Sequence, residues 1–224
     1  MCKDLGQQAA IALENARLYE QAREEITERK QAEIELQKLN NQLQTQLAEI
    51  KQLETKLREQ AIRDPLTGVF NRRYMDEMLK KEVSRAALKG NLLSVVILDL
   101  DNLKKINDTY GHVEGGDKAL QVLAGTIKQI SRTEDILCRY AGDEFMAILY
   151  DASAQAAYEC ALKWKEAVSK IKIDTNKGEF SITFSAGVAE YHFRGLTGDE
   201  LLIQADLALY RAKELGRDSV VIYQ

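Results

Sequence analysis

A seven-residue repeat of apolar side chains begins at Leu36, in the second half of residues 1–60, a stretch that contains no proline. The repeat consists of Leu36, Leu43, Ile50 and Leu57, with Leu39, Leu47 and Leu53 at the intermediate places. Most other positions are polar or charged, so the apolar residues form a narrow seam along one helix. Because such a seam is too thin to form a core alone, it predicts a parallel, dimeric coiled coil. A lone solvated helix is the alternative.

The sole proline of the chain, Pro65, follows this seam. Proline cannot continue a regular helix, and it disfavours helical backbone angles at the preceding Asp64. We therefore predict a domain boundary here. Residues 1–60 are expected to form a long helix that dimerises the protein and transmits signals, and residues 61–224 a globular domain.

Composition excludes several classes of protein. The net charge of −4 argues against a nucleic-acid-binding protein, which usually carries a basic excess. The three cysteines form no CxxC pair, which favours a reduced, cytoplasmic protein. Two histidines are too few for a histidine-rich metal site, so any metal should be hard and carboxylate-bound. We find no apolar run long enough to span a membrane and no signal peptide.

Helical and strand patterns alternate in residues 61–224. The predicted helices are 72–88, 117–131, 153–171 and 198–215. The predicted strands are 92–100, 136–140, 145–150, 180–191 and 219–223. Because a hairpin interrupts the alternation, we predict a mixed α/β (α+β) sandwich of the ferredoxin-like or palm type with a mostly antiparallel central sheet.

Two carboxylates lie at the end of the buried strand 92–100. Asp99 and Asp101 alternate, so their side chains are expected on the same side. Buried carboxylates are costly unless a cation meets them. Asp101 has another explanation, because aspartate often caps the following helix, and both roles stay open for it. Asp99 lies deeper and lacks this explanation.

A second acidic pair, Asp143 and Glu144, follows Gly142 at the tip of the predicted hairpin. A solvated turn is the simplest interpretation. If the hairpin neighbours strand 92–100, however, the turn lies near Asp99 and the oxygens suit Mg²⁺ bound together with substrate phosphates. Gly142 has no side chain, so its backbone can approach a phosphate closely.

The globular part resembles the GGDEF domain of diguanylate cyclases over essentially all of residues 61–224. The resemblance rests on an ordered series of motifs, "DPLTGVFNRR", "DLDNLKKIND", "YGH", "GGDKAL", "RYAGDEF", "SAGVA" and "ADLALYRAKELGRD". It implies that two facing domains, each holding one GTP, condense their nucleotides into cyclic di-GMP and two pyrophosphates. It also implies Mg²⁺ as cofactor, with Mn²⁺ as an alternative.

The resemblance further implies a role for particular residues. Asp99 and Asp143 bind Mg²⁺ through their carboxylates and Leu100 through its carbonyl, while Glu144 supports the metal site and Asp143 also accepts the hydroxyl proton. The nucleotide contacts are Asn107 and Asp117 at the guanine edge, His112 also at the nucleotide, and Lys104, Lys213 and Arg217 at the phosphates. For Lys213 and Arg217, solvated charge near a helix end is the alternative.

The motif "RTED" resembles the inhibitory site of this family, in which Arg132 and Asp135 bind the product cyclic di-GMP. A polar turn is the alternative. The guanidinium can bind phosphate and guanine through its planar fork. Product inhibition through this site is therefore expected.

This sequence departs from the family pattern at three places. Ala141 replaces the first glycine of the GGDEF motif, Leu103 replaces a phenylalanine, and an additional residue precedes Asp117, which should need a local bulge to reach the guanine. Leu103 is a mild apolar change, whereas Ala141 and the additional residue favour an alternative function, a catalytically silent module that binds GTP or cyclic di-GMP and signals through partners.

Residues 5–21 resemble the last helix of a GAF sensor domain. Chains with such a helix normally begin far upstream of it, so we expect Met1 to mark a truncated start.

Overall fold

The computed structural model describes residues 2–192 and 196–224, with Met1 outside the described part. Residues up to Arg58 form one compact unit and residues Glu59–Gln224 another. The α-helices are α1 Cys2–Ile62, α2 Arg72–Lys89, α3 Leu103–Tyr110, α4 Lys118–Ile130, α5 Ala154–Ser169 and α6 Gly198–Glu214, and a π-helix spans His112–Asp117. The strands are β1 Phe70–Asn71, β2 Leu93–Leu100, β3 Ile136–Ala141, β4 Glu144–Tyr150, β5 Ile173–Thr175, β6 Gly178–Phe180, β7 Phe184–Glu190 and β8 Val220–Ile222.

The predicted long N-terminal helix is confirmed as α1. Its seam residues face solvent within the single chain, with Leu43 exposed by 49% and Leu57 by 64%. The helix that carries these apolar side chains therefore does not bury them. None of the helices described is long and apolar enough to cross a membrane.

The sheet of the globular unit has the strand order β1-β3-β4-β2-β7-β8. The pairs β3–β4, β4–β2 and β2–β7 are antiparallel, and the edge pairs β1–β3 and β7–β8 are parallel. The predicted mixed fold with a mostly antiparallel sheet is confirmed.

Strand β2 is buried along its whole length because both faces of the sheet are covered. Val96 and Leu98 point into the core beneath α4 and α5, which includes Trp164. Val95 and Ile97 point into the opposite core, beneath α2 and α6. This double burial explains the continuous apolar run of β2 and fixes where the strand's carboxyl end emerges.

The prediction of one strand over 180–191 is wrong. Residues 178–180 instead form β6, which pairs with β5 in a separate hairpin, and β7 begins only at Phe184. The chain changes sheets between them, where the backbone oxygen of Thr183 accepts a hydrogen bond from the Asp101 amide at 2.9 Å. Apolar spacing alone does not encode this change of sheet.

Helix α6 lies unusually close to β7. A Cβ atom on Gly187 would collide with the backbone oxygen of Ala205, so only glycine fits at this crossing. Ala208 and Ala212, also in α6, are fully buried. The small residues of both elements thus hold the C-terminal end of α6 against the sheet.

Candidate active site

The end of β2 and the turn between β3 and β4 come together as predicted. In the β2–β4 ladder Asp99 lies directly opposite Glu144. The amide of Leu100 donates a hydrogen bond to the backbone oxygen of Asp143 at 3.2 Å. The acidic pair of the hairpin is therefore joined to the strand that carries Asp99.

The turn of this hairpin depends on glycine at one position. Gly142 has a φ of +46°, in the left-handed region that glycine tolerates best. Ala141 belongs to β3 and has no positive φ, so its methyl group causes no backbone strain. The departure at Ala141 is compatible with the turn because the unusual backbone angle falls on the next residue.

Asp99 is a buried carboxylate with charged neighbours of both signs. It is 9% exposed, and the Nζ of Lys213 at the end of α6 lies 2.9 Å from its Oδ2. Burial raises the pKa of the Asp99 carboxyl, the charges of Asp143 and Glu144 add to the rise, and Lys213 opposes it. The ion pair with Lys213 thus offsets part of the cost of placing Asp99 here.

The acidic side chains alone do not make a complete metal centre. Throughout residues 2–192 and 196–224, no group of three or more His, Cys, Asp or Glu side chains is arranged to hold a metal. Mg²⁺ commonly binds through one or two carboxylates and takes its other ligands from water and substrate phosphates. Asp99 and Asp143, with the carbonyl of Leu100, fit that incomplete type of site.

Asn107 and Gly116 form a tight contact near the π-helix. The Oδ1 atom of Asn107 is buried and has no hydrogen-bond partner among the described residues. A Cβ on Gly116 would collide with this oxygen and would lie 3.0 Å from the Asn107 Cγ. An unpaired buried oxygen is costly, which suits a site that receives a ligand donor.

The additional residue before Asp117 is absorbed by the π-helix His112–Asp117. A π-turn holds one more residue than an α-turn and is frequent at functional sites. Asp117, half-buried, precedes α4 directly, while His112 is exposed at the other end of the π-helix. The expected local bulge is therefore present at the place where the sequence requires it.

The other predicted phosphate contacts lie at element ends. Lys104 is exposed in the first turn of α3, and Arg217 is exposed in the turn between α6 and β8. Gly216, Arg217 and Asp218 have φ values of +109°, +68° and +45°. Two successive left-handed residues that are not glycine are costly, so neighbouring groups must hold this turn.

The helix-cap role considered for Asp101 is wrong. The cap residue of α3 is Asn102, with a φ of +59° and no capping hydrogen bond from its side chain. Asp101 is 3% exposed, and its carboxylate accepts hydrogen bonds from the hydroxyls of Thr183 and Ser185 and from the amide of Asp218. Sequence spacing missed these partners because they lie more than 80 residues away.

Arg132 and Asp135 lie together at the other end of the hairpin. The amide of Arg132 donates to the Asp135 carboxylate at 3.0 Å, and burial raises the pKa of that carboxyl. Arg132 lines a cavity of about 420 Å³, also lined by Arg85 and Tyr150. Arg85 was missed in the sequence, because nothing in its surroundings on α2 marks it as part of a site.

Comparison with known proteins agrees with this geometry. The family model described as "Diguanylate cyclase, GGDEF domain" matches residues 61–219. Diguanylate cyclase DgcP of Pseudomonas aeruginosa is 36% identical over 165 residues, which are 74% of this chain and 24% of that protein. Response regulator PleD of Caulobacter vibrioides is 39% identical over 165 residues, 73% of this chain and 36% of that protein.

A solved structure extends the similarity. The coiled coil and GGDEF domain of DgcB from Caulobacter crescentus, in complex with c-di-GMP, matches with a TM-score of 0.75 and 28% identity. The match covers 82% of this chain and 98% of that one. The chain spans only about a quarter to a third of the length of the curated relatives named above. With the family model covering most of the sequence, the chain belongs to the GGDEF-domain family of diguanylate cyclases.

Proposed function

We propose that this chain is a Mg²⁺-dependent diguanylate cyclase that condenses two GTP into cyclic di-GMP and two pyrophosphates. The observation that carries the proposal is the pairing of Asp99 with the Asp143–Glu144 turn in the β2–β4 ladder. It gathers carboxylates at one sheet end, where the Nζ of Lys213 lies 2.9 Å from Asp99. Carboxylates and cations together fit a metal–triphosphate ligand better than either group alone.

In this proposal the carboxylates of Asp99 and Asp143 and the Leu100 carbonyl bind the metal. Glu144 supports the site. Bound Mg²⁺ would neutralise phosphate charge and polarise the reacting phosphoryl group. Lys213 pairs with Asp99 in the structure. With Asp99 engaged by Mg²⁺, Lys213 would be available for a phosphate oxygen, and Arg217 and Lys104 would add further positive charge.

Guanine recognition falls to Asn107 and Asp117. The unpaired Oδ1 of Asn107 can accept from a guanine N–H, and the Asp117 carboxylate can accept from a second donor on the same edge. His112 lies at the start of the π-helix, where it can contact the nucleotide. A pocket of acceptors rejects adenine, because adenine leaves those acceptors without donors.

The condensation of two GTP requires two copies of the domain. The 3′-oxygen of each GTP forms a bond to the α-phosphorus of the other GTP, and the bond from that phosphorus to the bridging oxygen breaks as pyrophosphate leaves. Asp143 accepts the proton of the attacking hydroxyl. The exposed seam of α1 supports a parallel homodimer, because a coiled coil keeps two domains at high effective concentration.

Product inhibition is assigned to Arg132 and Asp135. The cavity beside Arg132 also contains Tyr150, the last residue of β4, whereas Glu144 begins the same strand. At about 3.4 Å per residue the two ends of β4 are about 20 Å apart. Cyclic di-GMP held here would leave the metal site open and act by restraining the domains, with Arg85 as an additional phosphate contact.

A catalytically silent nucleotide-binding module is the second candidate. The Lys213–Asp99 ion pair favours it, because Lys213 already neutralises a carboxylate that the enzyme would need for the metal. Incubation of the protein with GTP and Mg²⁺, followed by chromatography of the nucleotides, separates the two functions. Cyclic di-GMP with two pyrophosphates per product is expected. Tight GTP binding without product would establish the silent module instead.

A further inference from the structure

The buried carboxylate of Asp101 is the centre of a cluster that joins three separate parts of the chain. Its Oδ1 accepts from the Ser185 hydroxyl at 2.8 Å. Its Oδ2 accepts from the Thr183 hydroxyl at 2.9 Å and from the Asp218 amide at 3.0 Å. The end of β2, the start of β7 and the turn after α6 are therefore tied to one side chain.

The turn after α6 needs stabilising hydrogen bonds of this kind. Arg217 and Asp218 both have positive φ values, a left-handed conformation that strains residues other than glycine unless neighbouring groups support it. The helix supplies some support, because the Arg217 amide and the Ser219 hydroxyl both donate to the Ala212 oxygen. Asp101 is the group that holds Asp218 from the sheet side.

The position of this turn decides where Arg217 presents its guanidinium. Arg217 itself is exposed, and its backbone is held on the helix side by the hydrogen bond from its amide to the Ala212 oxygen. The residue that follows it in the chain is fixed from both sides, by the Asp101 carboxylate and by Lys165, whose Nζ lies 3.1 Å from the Asp218 carboxylate. A fixed neighbour limits the backbone freedom that Arg217 would lose when it binds an anion.

We infer that Asp101 is a positioning residue, which holds the Arg217 turn ready for the nucleotide phosphates and does not ligate the metal. The inference rests on the proposed function, since it assumes that Arg217 meets phosphate. All of the hydrogen-bond donors to the Asp101 carboxylate named above come from the protein itself. These three hydrogen bonds occupy most of its lone pairs, whereas the partner of Asp99 is the flexible side chain of Lys213.

Two substitutions at Asp101 separate positioning from metal ligation. Asp101→Asn keeps an oxygen for Thr183 and Asp218, and its amide can donate to Ser185, because a hydroxyl also accepts. Asp101→Ala removes every one of these bonds. A positioning role therefore predicts that Asp101→Asn keeps the nucleotide affinity that Asp101→Ala loses. A role as an anionic metal ligand predicts that both variants fail alike.

The first measurement is the affinity for a non-hydrolysable GTP analogue with Mg²⁺. We expect Asp101→Ala to weaken binding about tenfold, the scale of one charge-assisted hydrogen bond, and Asp101→Asn to stay near wild type. In the Arg217→Ala background, Asp101→Ala should add little, because both act on one contact. Asp174→Asn, an exposed carboxylate on β5, is the matched control and should change nothing.

The second measurement is amide hydrogen exchange in residues 215–219 without nucleotide. Asp101→Ala should accelerate exchange there, and Asp101→Asn should not. This readout stands even if wild type makes no cyclic di-GMP, so failure of the proposed function is seen separately. Thr183→Val removes one donor and should give the same changes at smaller size, should Asp101→Ala not fold.

The inference would be overturned if Asp101→Ala kept the hydrogen-exchange rates and the analogue affinity of wild type. If only Thr183→Val folds, the same result in that variant would overturn it. Equal damage by Asn and Ala would also overturn it, since the charge and not the hydrogen bonding would then matter.

Discussion

The Nζ of Lys213 lies 2.9 Å from the Oδ2 of Asp99, so a side-chain cation already meets this buried carboxylate. The two residues are brought together by the close crossing of α6 over Gly187. Lysine is a compact charge on a flexible stem, so it can leave a carboxylate when a divalent cation arrives. Under the proposed function, Lys213 is therefore a competitor of the metal for Asp99 and, once displaced, a partner of the phosphates.

Substitution of Lys213 should change the affinity for metal and the affinity for nucleotide in opposite directions. Lys213→Ala should raise the affinity for Mn²⁺ or Mg²⁺ in the absence of nucleotide, because Asp99, Asp143 and Glu144 lose a neutralising charge. It should lower GTP affinity about tenfold through the lost phosphate contact. Titration calorimetry with metal alone measures the first effect, and Lys128→Ala on α4 is the control. A metal affinity that stays constant or falls would refute the competition.

The contact between Gly116 and Asn107 gives a second prediction. Gly116→Ala places a methyl group on the Asn107 Oδ1, so the amide must rotate or shift. We expect GTP-analogue binding to weaken about tenfold or more as guanine loses an acceptor. Gly125→Ala, in α4, is the matched control because its added Cβ meets nothing within 4 Å.

Equilibrium binding of the analogue, with circular dichroism as a check of folding, measures this effect. Unchanged guanine binding in a folded Gly116→Ala protein would remove Asn107 from the base pocket.

The exposed seam of α1 predicts the oligomeric state. Changing Leu43 and Ile50 to Lys should place like charges in the seam and give monomers, with little cyclase activity at low protein concentration. Adding the same two charges away from the seam, with Asn41→Lys and Ala48→Lys, should leave a dimer. Sedimentation velocity distinguishes these outcomes, and a dimer that survives the seam substitutions would contradict the coiled coil.

Arg132 carries the prediction on product inhibition. Arg132→Ala should abolish high-affinity cyclic di-GMP binding and raise the product accumulated, with the initial rate little changed. Arg85→Ala should weaken the same binding, because both arginines line one cavity. Thr133→Ala, the exposed neighbour, should behave as wild type. Calorimetry that finds the wild-type product affinity in Arg132→Ala would move the inhibitory site elsewhere.

The sequence predicted the parts of this molecule that depend on local pattern. Heptad spacing predicted the long helix, and the apolar run before Asp99 predicted a buried strand. Hairpin pairing brought Asp143 to Asp99, because neighbouring antiparallel strands place such positions side by side. An extra residue before Asp117 indicated a bulge, which the structure realises as a π-helix.

Contacts between distant residues could not be predicted. Asp101 resembled a helix cap in the sequence, yet its partners Thr183 and Asp218 come from elements placed beside it only by the sheet order. The Lys213–Asp99 pair has the same origin, since it depends on the approach of α6 to β7. The break of strand 180–191 was missed because its apolar residues serve two different sheets.

Replacement of Asp143 by Asn tests the central claim most directly, because it removes one charge from the hairpin and nearly keeps the shape. With GTP and Mg²⁺, wild type should form cyclic di-GMP and release two pyrophosphates per product. Asp143→Asn should lose about 100-fold or more of this rate while remaining folded. The exposed control Asp206→Asn should keep it. Full activity in a folded Asp143→Asn protein, or no product from wild type, would contradict the assignment of this hairpin as the catalytic centre.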